Sequence, residues 1–354
     1  MKPWQDKLRV LDPYVPGEQS KEKNIIKLNA NENPYPPSPK VEDAIKTLDF
    51  SKLNLYPDAL SSELIETLAT HHKVDKNQVF VGNGSDEVIA FCYMAFFNSV
   101  KPIVFPDITY SFYPVWCRLF NVPFKTKALD SNFKILAADY YEENGGIILP
   151  NPNAPTGIGE GKDFIADILE HNQDVIVIID EAYVDFGGYS AIELLEKYEN
   201  LVIVHTFSKS RSLAGLRIGS AIANPQLISL LNSVKNSFNS YTMDSIAMLV
   251  GTASIKDNEY FEANAKNIIQ TREIFAKNLK DLGFTVYPSQ TNFLLVSHPK
   301  IEANEIFRAC KEQNIYIRYF NLPRIDNCLR ITVGTDSEMN TLKDFLKKYI
   351  KDTV

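Results

Sequence analysis

The sequence lacks the residue patterns that mark several large classes of protein. Its four cysteines include no Cys-x-x-Cys pair and its five histidines show no metal-binding spacing, which argues against a disulfide framework or a metal site. The net charge is −7, from 37 basic and 44 acidic residues, and no basic face indicates a nucleic-acid partner. We therefore expect a cytoplasmic protein with reduced thiols that binds small molecules.

Long apolar runs and repeats are also missing. The apolar segment at residues 91–97 is far too short to cross a bilayer, and the first residues lack an apolar signal core, so we expect neither a membrane span nor a secretory leader. With 354 residues, of which 45% are hydrophobic, the chain is long enough to bury a large core and to form more than one domain.

Short apolar runs alternate with helical segments, which predicts an α/β fold with a mostly parallel sheet flanked by helices. The predicted strands of this sheet are residues 79–81, 103–105, 146–149, 175–179, 201–204 and 218–223. A long helical region, 225–282, precedes further strands at 284–287, 293–296, 315–318 and 329–332. We expect an N-terminal arm over residues 1–40, a large domain over 41–242 and a smaller α+β C-terminal domain over 243–354.

A lysine follows one of these strands directly. Residues 205–219 read His-Thr-Phe-Ser-Lys-Ser-Arg-Ser-Leu-Ala-Gly-Leu-Arg-Ile-Gly. Lys209 suits an amine that attacks a carbonyl, and the guanidinium fork of Arg217 suits a phosphate dianion. An amine with a phosphate-binding arginine is what pyridoxal 5′-phosphate (PLP) requires. Considered alone, Lys209 is more typical of a surface loop, so the interpretation depends on the other motifs.

An acidic residue ends the apolar run at 175–179, which is followed by Asp180-Glu181-Ala182-Tyr183. The carboxyl end of a buried parallel strand is where open α/β sheets bind ligands, and PLP needs a carboxylate against its pyridine nitrogen. Tyr183 is a candidate to hydrogen-bond the 3-oxygen of the ring. A helix or turn cap is the alternative for Asp180, but the order Asp180, Tyr183, Lys209, Arg217 favours a cofactor site.

Two turn-forming segments add to this pattern. Residues 82–87, Gly-Asn-Gly-Ser-Asp-Glu, join a short strand to an apolar helix, so that backbone amides and Ser85, as the N-cap, can bind a phosphate. A plain capped helix explains the same residues. Residues 149–157, Leu-Pro-Asn-Pro-Asn-Ala-Pro-Thr-Gly, form a defined turn.

Together these motifs resemble those of the fold-type I PLP-dependent aminotransferases, over nearly the whole chain. Residues 11–17 (Leu-Asp-Pro-Tyr-Val-Pro-Gly), 28–34 (Leu-Asn-Ala-Asn-Glu-Asn-Pro), 56–58 (Tyr-Pro-Asp) and 328–334 (Cys-Leu-Arg-Ile-Thr-Val-Gly) are similar, within that family, to the histidinol-phosphate aminotransferases of histidine biosynthesis. The resemblance implies a fold-type I transferase and a homodimer with shared active sites. It implies transamination of L-histidinol phosphate with 2-oxoglutarate, giving imidazole acetol phosphate and glutamate. In the cell this reaction is expected to run in reverse.

The resemblance also implies roles for individual residues, with Lys209 as the catalytic amine that holds PLP. The implied cofactor-binding residues are Gly84, Ser85, Asp86, Tyr110, Asn153, Asp180, Tyr183, Thr206, Ser208, Lys209, Arg217 and, from the neighbouring subunit, Tyr56. The implied substrate-binding residues are Arg330, Arg318, Tyr14 and Asn31. Arg330 lies on a mostly apolar strand and needs an anionic partner, whereas an exposed strand arginine explains Arg318 equally well.

One position departs from the family pattern. Family members commonly have asparagine immediately before Pro-Thr-Gly, and this chain has Ala154. Either Asn153 reaches the 3-oxygen of PLP after a small backbone shift, or Tyr183 binds that oxygen alone.

Other functions share the core motifs. A threonine-phosphate decarboxylase or an aromatic amino-acid aminotransferase would carry the same Lys209 and Asp180, although the N-terminal motif favours histidinol phosphate. A cofactor-sensing regulator would need an added DNA-binding domain, for which the N-terminal arm is too short and not basic.

Overall fold

The computed structural model describes residues 2–15, 17–18, 22 and 24–353. Pro16, which belongs to the N-terminal motif at 11–17, lies outside the described residues. In chain order the strands are β1 (Ile26–Lys27), β2 (Val79–Gly82), β3 (Ile103–Pro106), β4 (Phe124–Lys127), β5 (Ile147–Pro150), β6 (Val177–Asp180), β7 (Leu201–Thr206), β8 (Gly219–Ala223), β9 (Thr285–Val286), β10 (Phe293–Ser297), β11 (Ile315–Tyr316), β12 (Arg318–Tyr319) and β13 (Leu329–Thr332). The α-helices are α1 (Pro39–Lys46), α2 (Ser62–His72), α3 (Ser85–Phe96), α4 (Tyr113–Phe120), α5 (Lys162–Glu170), α6 (Pro225–Phe238), α7 (Ser245–Ile255), α8 (Asn258–Asp281), α9 (Ala303–Glu312) and α10 (Asp336–Thr353).

A seven-stranded sheet organises the larger part of the chain, in the order β2-β8-β7-β6-β5-β3-β4. Neighbours from β7 to β4 are parallel, and β8 is antiparallel to both β7 and β2. The central strands are buried on both sides and rich in β-branched residues, as expected for parallel strands between two helical layers. This confirms the predicted α/β fold with a mostly parallel sheet.

Helices cover both faces of this sheet. Alternate strand residues such as Ile148, Ile178 and Val202 pack against α3, α4 and α6. The intervening residues face α5 on the other side, where α2 and α7 cover the outer strands. The period-2 alternation of side chains along a strand thus gives the sheet two separate apolar cores.

A smaller antiparallel sheet, in the order β12-β13-β10-β9, packs with α8, α9 and α10 around its own core. The expectation of one strand at 315–318 is wrong, because this segment divides. β11 pairs in parallel with β1, near the N-terminus, whereas β12 pairs with β13. The long helical region at 225–282 likewise consists of three helices, α6, α7 and α8.

The antiparallel direction of β8 determines where the site forms. Its first residue, Gly219, pairs with both Thr206 at the carboxyl end of β7 and Gly82 at the carboxyl end of β2. Arg217, which precedes β8, is therefore placed at the same edge of the sheet as Asp180 and Lys209. Within the described part of the chain, no helix is both long and apolar enough to cross a membrane.

Candidate active site

A cavity lies at the carboxyl edge of the seven-stranded sheet. Its lining consists of Ser85, Asp86, Tyr110, Pro150, Ala154, Asp180, Ala182, Tyr183, Thr206, Ser208, Lys209 and Arg217. The structure thus brings together the sequence-predicted cofactor residues, apart from Gly84, Asn153 and Tyr56. Segments far apart in sequence meet here because the carboxyl ends of five strands and the start of β8 lie at one edge of the sheet.

Lys209 follows β7 and extends its amine toward the cavity. The Nζ atom donates to the carbonyl oxygen of Ala30 at 3.4 Å, a weak contact, and lies 5.7 Å from the centre of the Tyr183 ring. Its backbone is held more firmly, since the Asn33 side-chain amide donates to the carbonyl oxygens of both Lys209 and Ser210 at 2.9 and 3.1 Å. A fixed backbone with a loosely bound amine suits a group that must change partners.

Asp180 lies at the bottom of the cavity and is 5% exposed. The Tyr113 hydroxyl donates to its Oδ2 atom at 2.8 Å, and the backbone N–H of Ala182 donates to Oδ1 at 3.2 Å. Burial raises the pKa of Asp180 to about 6, while these two hydrogen bonds lower it. A buried carboxylate needs a cationic partner, and a protonated pyridine nitrogen has the required charge.

Tyr183 is oriented by the segment that follows β1. The side-chain amide of Asn31 donates to the Tyr183 hydroxyl oxygen at 2.8 Å, and Asn31 in turn accepts a hydrogen bond from Thr332 on β13. Because the Tyr183 oxygen already accepts a hydrogen bond from Asn31, its own O–H group is left to donate to a ligand. Asn31 therefore does not line the cavity itself but contacts Tyr183, which does.

Arg217 and the turn before α3 form the opposite side of the cavity. Its guanidinium pairs with Asp86 at 3.0 Å and donates to Ser208 Oγ at 3.3 Å. Ser85 is the first residue of α3 and not its N-cap, contrary to the sequence interpretation, because Gly84 takes that position with φ +86°. The Ser85 hydroxyl thus makes no cap hydrogen bond, and the free amides of the first helical turn point toward an anion site.

Two glycines give this turn its shape. A Cβ atom on Gly84 would lie 2.6 Å from Nη2 of Arg217, and one on Gly219 would lie 2.3 Å from the backbone nitrogen of Ser85. Both distances are far shorter than van der Waals contact. At Gly219 the clash is with backbone, so the close approach of the helix start to β8 depends on glycine there. At Gly84 the Arg217 side chain could move aside, and glycine is favoured by the φ of +86°. The resulting turn is suited to binding a phosphate.

The two predicted substrate arginines come from β12 and β13. Arg330 donates to the carbonyl oxygen of Asn29 at 2.9 Å and lies over the rings of Phe293 and Phe320. Its Nε atom is buried without a hydrogen-bond partner among the described residues. Burial lowers the pKa of Arg330, and neighbouring Arg318 lowers it further. This arrangement favours an anionic ligand.

Tyr14 lies beside this region, in the N-terminal arm. Its ring stacks on Phe112 with centroids 4.6 Å apart and is 6.4 Å from the ring of Tyr110. The Tyr110 hydroxyl donates to Asp86 at 2.8 Å. The arm thus contributes an aromatic wall next to the cavity.

Asn153 and Tyr56 are not brought into the cavity of the single chain. The Asn153 amide donates to the carbonyl oxygen of Ile108 and to Thr156, and its oxygen accepts from Thr109. Ala154 lines the cavity in its place. The Asn153 side chain would have to break these hydrogen bonds before it could turn into the cavity.

Sequence reasoning did not identify Tyr113 or Asn33 as site residues. Tyr113 lies in an aromatic stretch that is indistinguishable from core sequence, and only its contact with Asp180 reveals it. Asn33 belongs to the motif at 28–34, and its place in that motif was the only sequence feature that could have marked it as a site residue. Its contact with Lys209 joins residues 176 positions apart, so sequence spacing does not reveal it.

The chain is similar to known proteins over almost its whole length. The family model described as aminotransferase class I and II matches residues 23–346. A histidinol-phosphate aminotransferase from Lactococcus lactis subsp. cremoris (strain MG1363) is 50% identical over 349 residues, covering 99% of this chain and 98% of the relative.

Two solved structures share the fold. One is a histidinol-phosphate aminotransferase from Sinorhizobium meliloti in complex with PLP, with a TM-score of 0.82 and 23% identity, covering 93% of this chain and 92% of the other. The second is an L-threonine-O-3-phosphate decarboxylase from Porphyromonas gingivalis, with a TM-score of 0.79 and 23% identity, covering 92% and 100%. The fold alone therefore does not distinguish the two reactions.

Proposed function

Because the chain belongs to the class I and II aminotransferases, and is a PLP-dependent enzyme, we propose that it transfers an amino group between L-histidinol phosphate and 2-oxoglutarate. In biosynthesis the reaction runs toward L-histidinol phosphate. The observation that carries this proposal is the pairing of Arg318 with Arg330 across β12 and β13. Two guanidinium groups suit a substrate phosphate, which can accept hydrogen bonds from both. The 50% identical histidinol-phosphate aminotransferase supports the same substrate.

The residues of the cavity fit PLP. Asp180 would pair with the pyridine nitrogen, and the Tyr183 hydroxyl would donate to the 3-oxygen. Arg217, Ser85, Ser208 and the amides at the start of α3 would bind the phosphate, with Gly84 and Thr206 shaping the surrounding backbone. When bound, PLP supplies an electron-withdrawing ring that stabilises negative charge at the substrate α-carbon.

Lys209 is the group that moves protons. We assign its Nζ two roles, to hold the cofactor between turnovers and, once displaced by the substrate amine, to take and return the α-carbon proton. The weak contact of Nζ with Ala30 at 3.4 Å gives it freedom to move, while Asn33 keeps the backbone fixed. Tyr110 would stack on the cofactor ring.

Arg330 and Arg318 would hold the anionic end of each substrate. In glutamate and 2-oxoglutarate this group is the α-carboxylate, and in L-histidinol phosphate, which has no α-carboxylate, it is the phosphate. Tyr14 and Asn31 would shape the pocket around the substrate. The N-terminal arm would in this way exclude water from the reacting atoms.

A second copy of the chain would complete the site. Tyr56 is 80% exposed and stacks on Tyr241 with ring centroids 4.5 Å apart. The surrounding segment also exposes Phe50, Leu53, Leu55 and Leu60, an apolar surface of the kind that subunit interfaces cover. We propose a homodimer in which Tyr56 reaches the cofactor phosphate of the neighbouring subunit.

A substrate comparison tests the proposed function. The PLP-loaded protein is supplied with 2-oxoglutarate and with L-histidinol phosphate, L-phenylalanine or O-phospho-L-threonine, and both glutamate and carbon dioxide are measured. We expect the highest kcat/KM for glutamate formation with L-histidinol phosphate and no carbon dioxide from O-phospho-L-threonine. Preference for phenylalanine would indicate an aromatic aminotransferase, and carbon dioxide release would indicate a decarboxylase.

A further inference from the structure

One side-chain hydroxyl contacts Asp180 at the bottom of the cavity. Tyr113, the first residue of α4, donates to Oδ2 at 2.8 Å. Its side chain is 0% exposed and packs against the rings of Phe105, Tyr110 and Trp116, so solvent has no access to this contact. Tyr110 is not an alternative donor, since its own hydroxyl is engaged with Asp86.

We propose that Tyr113 is a positioning residue for the transamination, which holds the Asp180 carboxylate ionised and aimed at the pyridine nitrogen of PLP. This inference rests on the proposed role of Asp180. Tyr113 itself would touch neither the substrate nor the cofactor, and would act only through the carboxylate.

The charges around Asp180 explain why such a donor is needed. Burial favours the neutral carboxylic acid, and nearby Asp86 raises the pKa of Asp180 further, whereas Tyr113, the Ala182 N–H and more distant His205 lower it. Burial also raises the pKa of Tyr113 well above its ordinary value, so its hydroxyl keeps its proton and remains a donor. The hydrogen bond therefore favours the ionised form of Asp180.

The geometry also restricts the direction of the carboxylate. With Oδ2 bound by Tyr113 and Oδ1 by the backbone of Ala182, both oxygens have fixed donors. Rotation of the carboxylate would break at least one of these hydrogen bonds. Phenylalanine at position 113 would keep the ring in its aromatic cluster and remove only the donor.

The chain provides a matched control in Tyr140. This tyrosine is 1% exposed, and its hydroxyl has no hydrogen-bond partner among the described residues. It packs in the core on the opposite face of the sheet from Tyr113. Tyr140→Phe therefore removes a buried hydroxyl without changing the surroundings of Asp180.

The test compares wild type, Tyr113→Phe, Tyr140→Phe, Asp180→Asn and the Tyr113→Phe/Asp180→Asn double variant. For each protein we would measure the dissociation constant for PLP, the absorbance of bound PLP as a function of pH, and kcat and KM. Thermal unfolding of the cofactor-free proteins verifies that each variant folds.

We expect Tyr113→Phe to weaken PLP binding roughly tenfold to hundredfold, the change that loss of one hydrogen bond to a charged group produces. Its absorbance transition with pH should shift, and kcat should fall with little change in KM for the amine. Tyr140→Phe should match wild type. In the Asp180→Asn background, Tyr113→Phe should have no further effect on PLP affinity, because the acceptor charge is gone.

The outcomes separate this inference from the proposed function. If Asp180→Asn weakens PLP binding but Tyr113→Phe behaves like Tyr140→Phe, the positioning role is refuted and the cofactor site stands. The same conclusion follows if the two substitutions have additive effects. If Asp180→Asn leaves both PLP affinity and absorbance unchanged, the role of Asp180 is refuted and the inference about Tyr113 with it.

Discussion

Arg318 and Arg330 face each other as directly paired residues on the antiparallel strands β12 and β13. Both guanidinium groups lie over the ring of Phe320, at 5.4 and 5.6 Å from its centre. Like charges placed directly opposite each other destabilise a sheet. A bound anion would offset this repulsion. Arg318 is half-buried, so the alternative of an exposed strand arginine does not describe it.

Arg318 should matter more for L-histidinol phosphate than for glutamate. A phosphate dianion can bind both arginines, whereas Arg330 can hold a carboxylate alone. Arg318→Leu should cost roughly 1.5–3 kcal/mol with the phosphorylated substrate, about a tenfold to hundredfold loss in kcat/KM, and less with glutamate. Single-turnover absorbance measures each half-reaction separately. Arg308→Leu, an exposed arginine on α9, is the control, and equal losses for both substrates would contradict the assignment.

Shared active sites can be tested by mixing inactive Lys209→Ala with Tyr56→Ala, a variant of impaired activity. Lys209→Ala and Tyr56→Ala homodimers each carry a lesion in both sites, but a heterodimer has one site free of both lesions. With random exchange of subunits, about a quarter of the sites are intact. Activity should rise toward that fraction after mixing, and light scattering should show a dimer. A fully active monomer would disprove sharing, as would the absence of any recovery after verified subunit exchange.

Gly219→Ala should damage the phosphate side of the cavity. The new Cβ atom would lie 2.3 Å from the backbone nitrogen of Ser85, so the turn before α3 must move away from β8 and Arg217. We expect weaker PLP binding and a lower midpoint of thermal unfolding. Gly161→Ala is the control, because a Cβ atom there has no heavy atom within 4 Å. Wild-type PLP affinity in Gly219→Ala would show that the close approach is unimportant.

Asp180 should make the stability of the cofactor-free protein depend on pH. Burial raises its pKa to about 6, so the folded state keeps the proton to a higher pH than the unfolded chain does. The free energy of unfolding must then fall as pH rises from about 4 to about 6, by about 2 to 3 kcal/mol from this group. Half-buried His72, whose pKa desolvation lowers to about 2, changes the stability in the opposite direction as pH rises. The effect of Asp180 must therefore be isolated by comparing two proteins.

The comparison is between cofactor-free wild type and cofactor-free Asp180→Asn. His72 contributes equally to the free energy of unfolding of both proteins, so the difference between them reports Asp180. The two proteins should unfold at similar denaturant concentrations near pH 4, and Asp180→Asn should be the more stable above pH 6. Adding PLP should reverse this order at neutral pH, because the pyridine nitrogen compensates the carboxylate. A stability difference that does not change with pH would argue against the raised pKa.

The central strands could be predicted from sequence because buried parallel strands consist of nearly continuous apolar runs. β5, β6 and β7 accordingly lie within two residues of their predicted bounds. β4, with the sequence Phe-Lys-Thr-Lys, was missed, since an exposed edge strand shows no such run. The division of residues 315–318 depends on pairing of β11 with β1, a contact that local sequence cannot encode.

Some site residues could likewise be predicted from the sequence, and others could not. Asp180, Lys209 and Arg217 could be predicted because each follows or precedes a recognisable strand, so topology alone brings them to one edge. The orientation of Asn153 away from the cavity depends on its contacts with Ile108, Thr109 and Thr156. The contact of Tyr113 with Asp180 likewise depends on how α4 packs against the sheet, and neither is visible in sequence spacing.

The proposed chemistry depends most of all on which amine binds PLP. PLP-loaded protein is treated with sodium borohydride, which fixes lysine-bound PLP as a stable pyridoxyl group, and the peptides are mapped by mass spectrometry. We predict labelling at Lys209, and no labelled peptide from Lys209→Ala, whose folding is verified by thermal unfolding. A pyridoxyl group on any other lysine of the wild-type protein would contradict the assignment of Lys209.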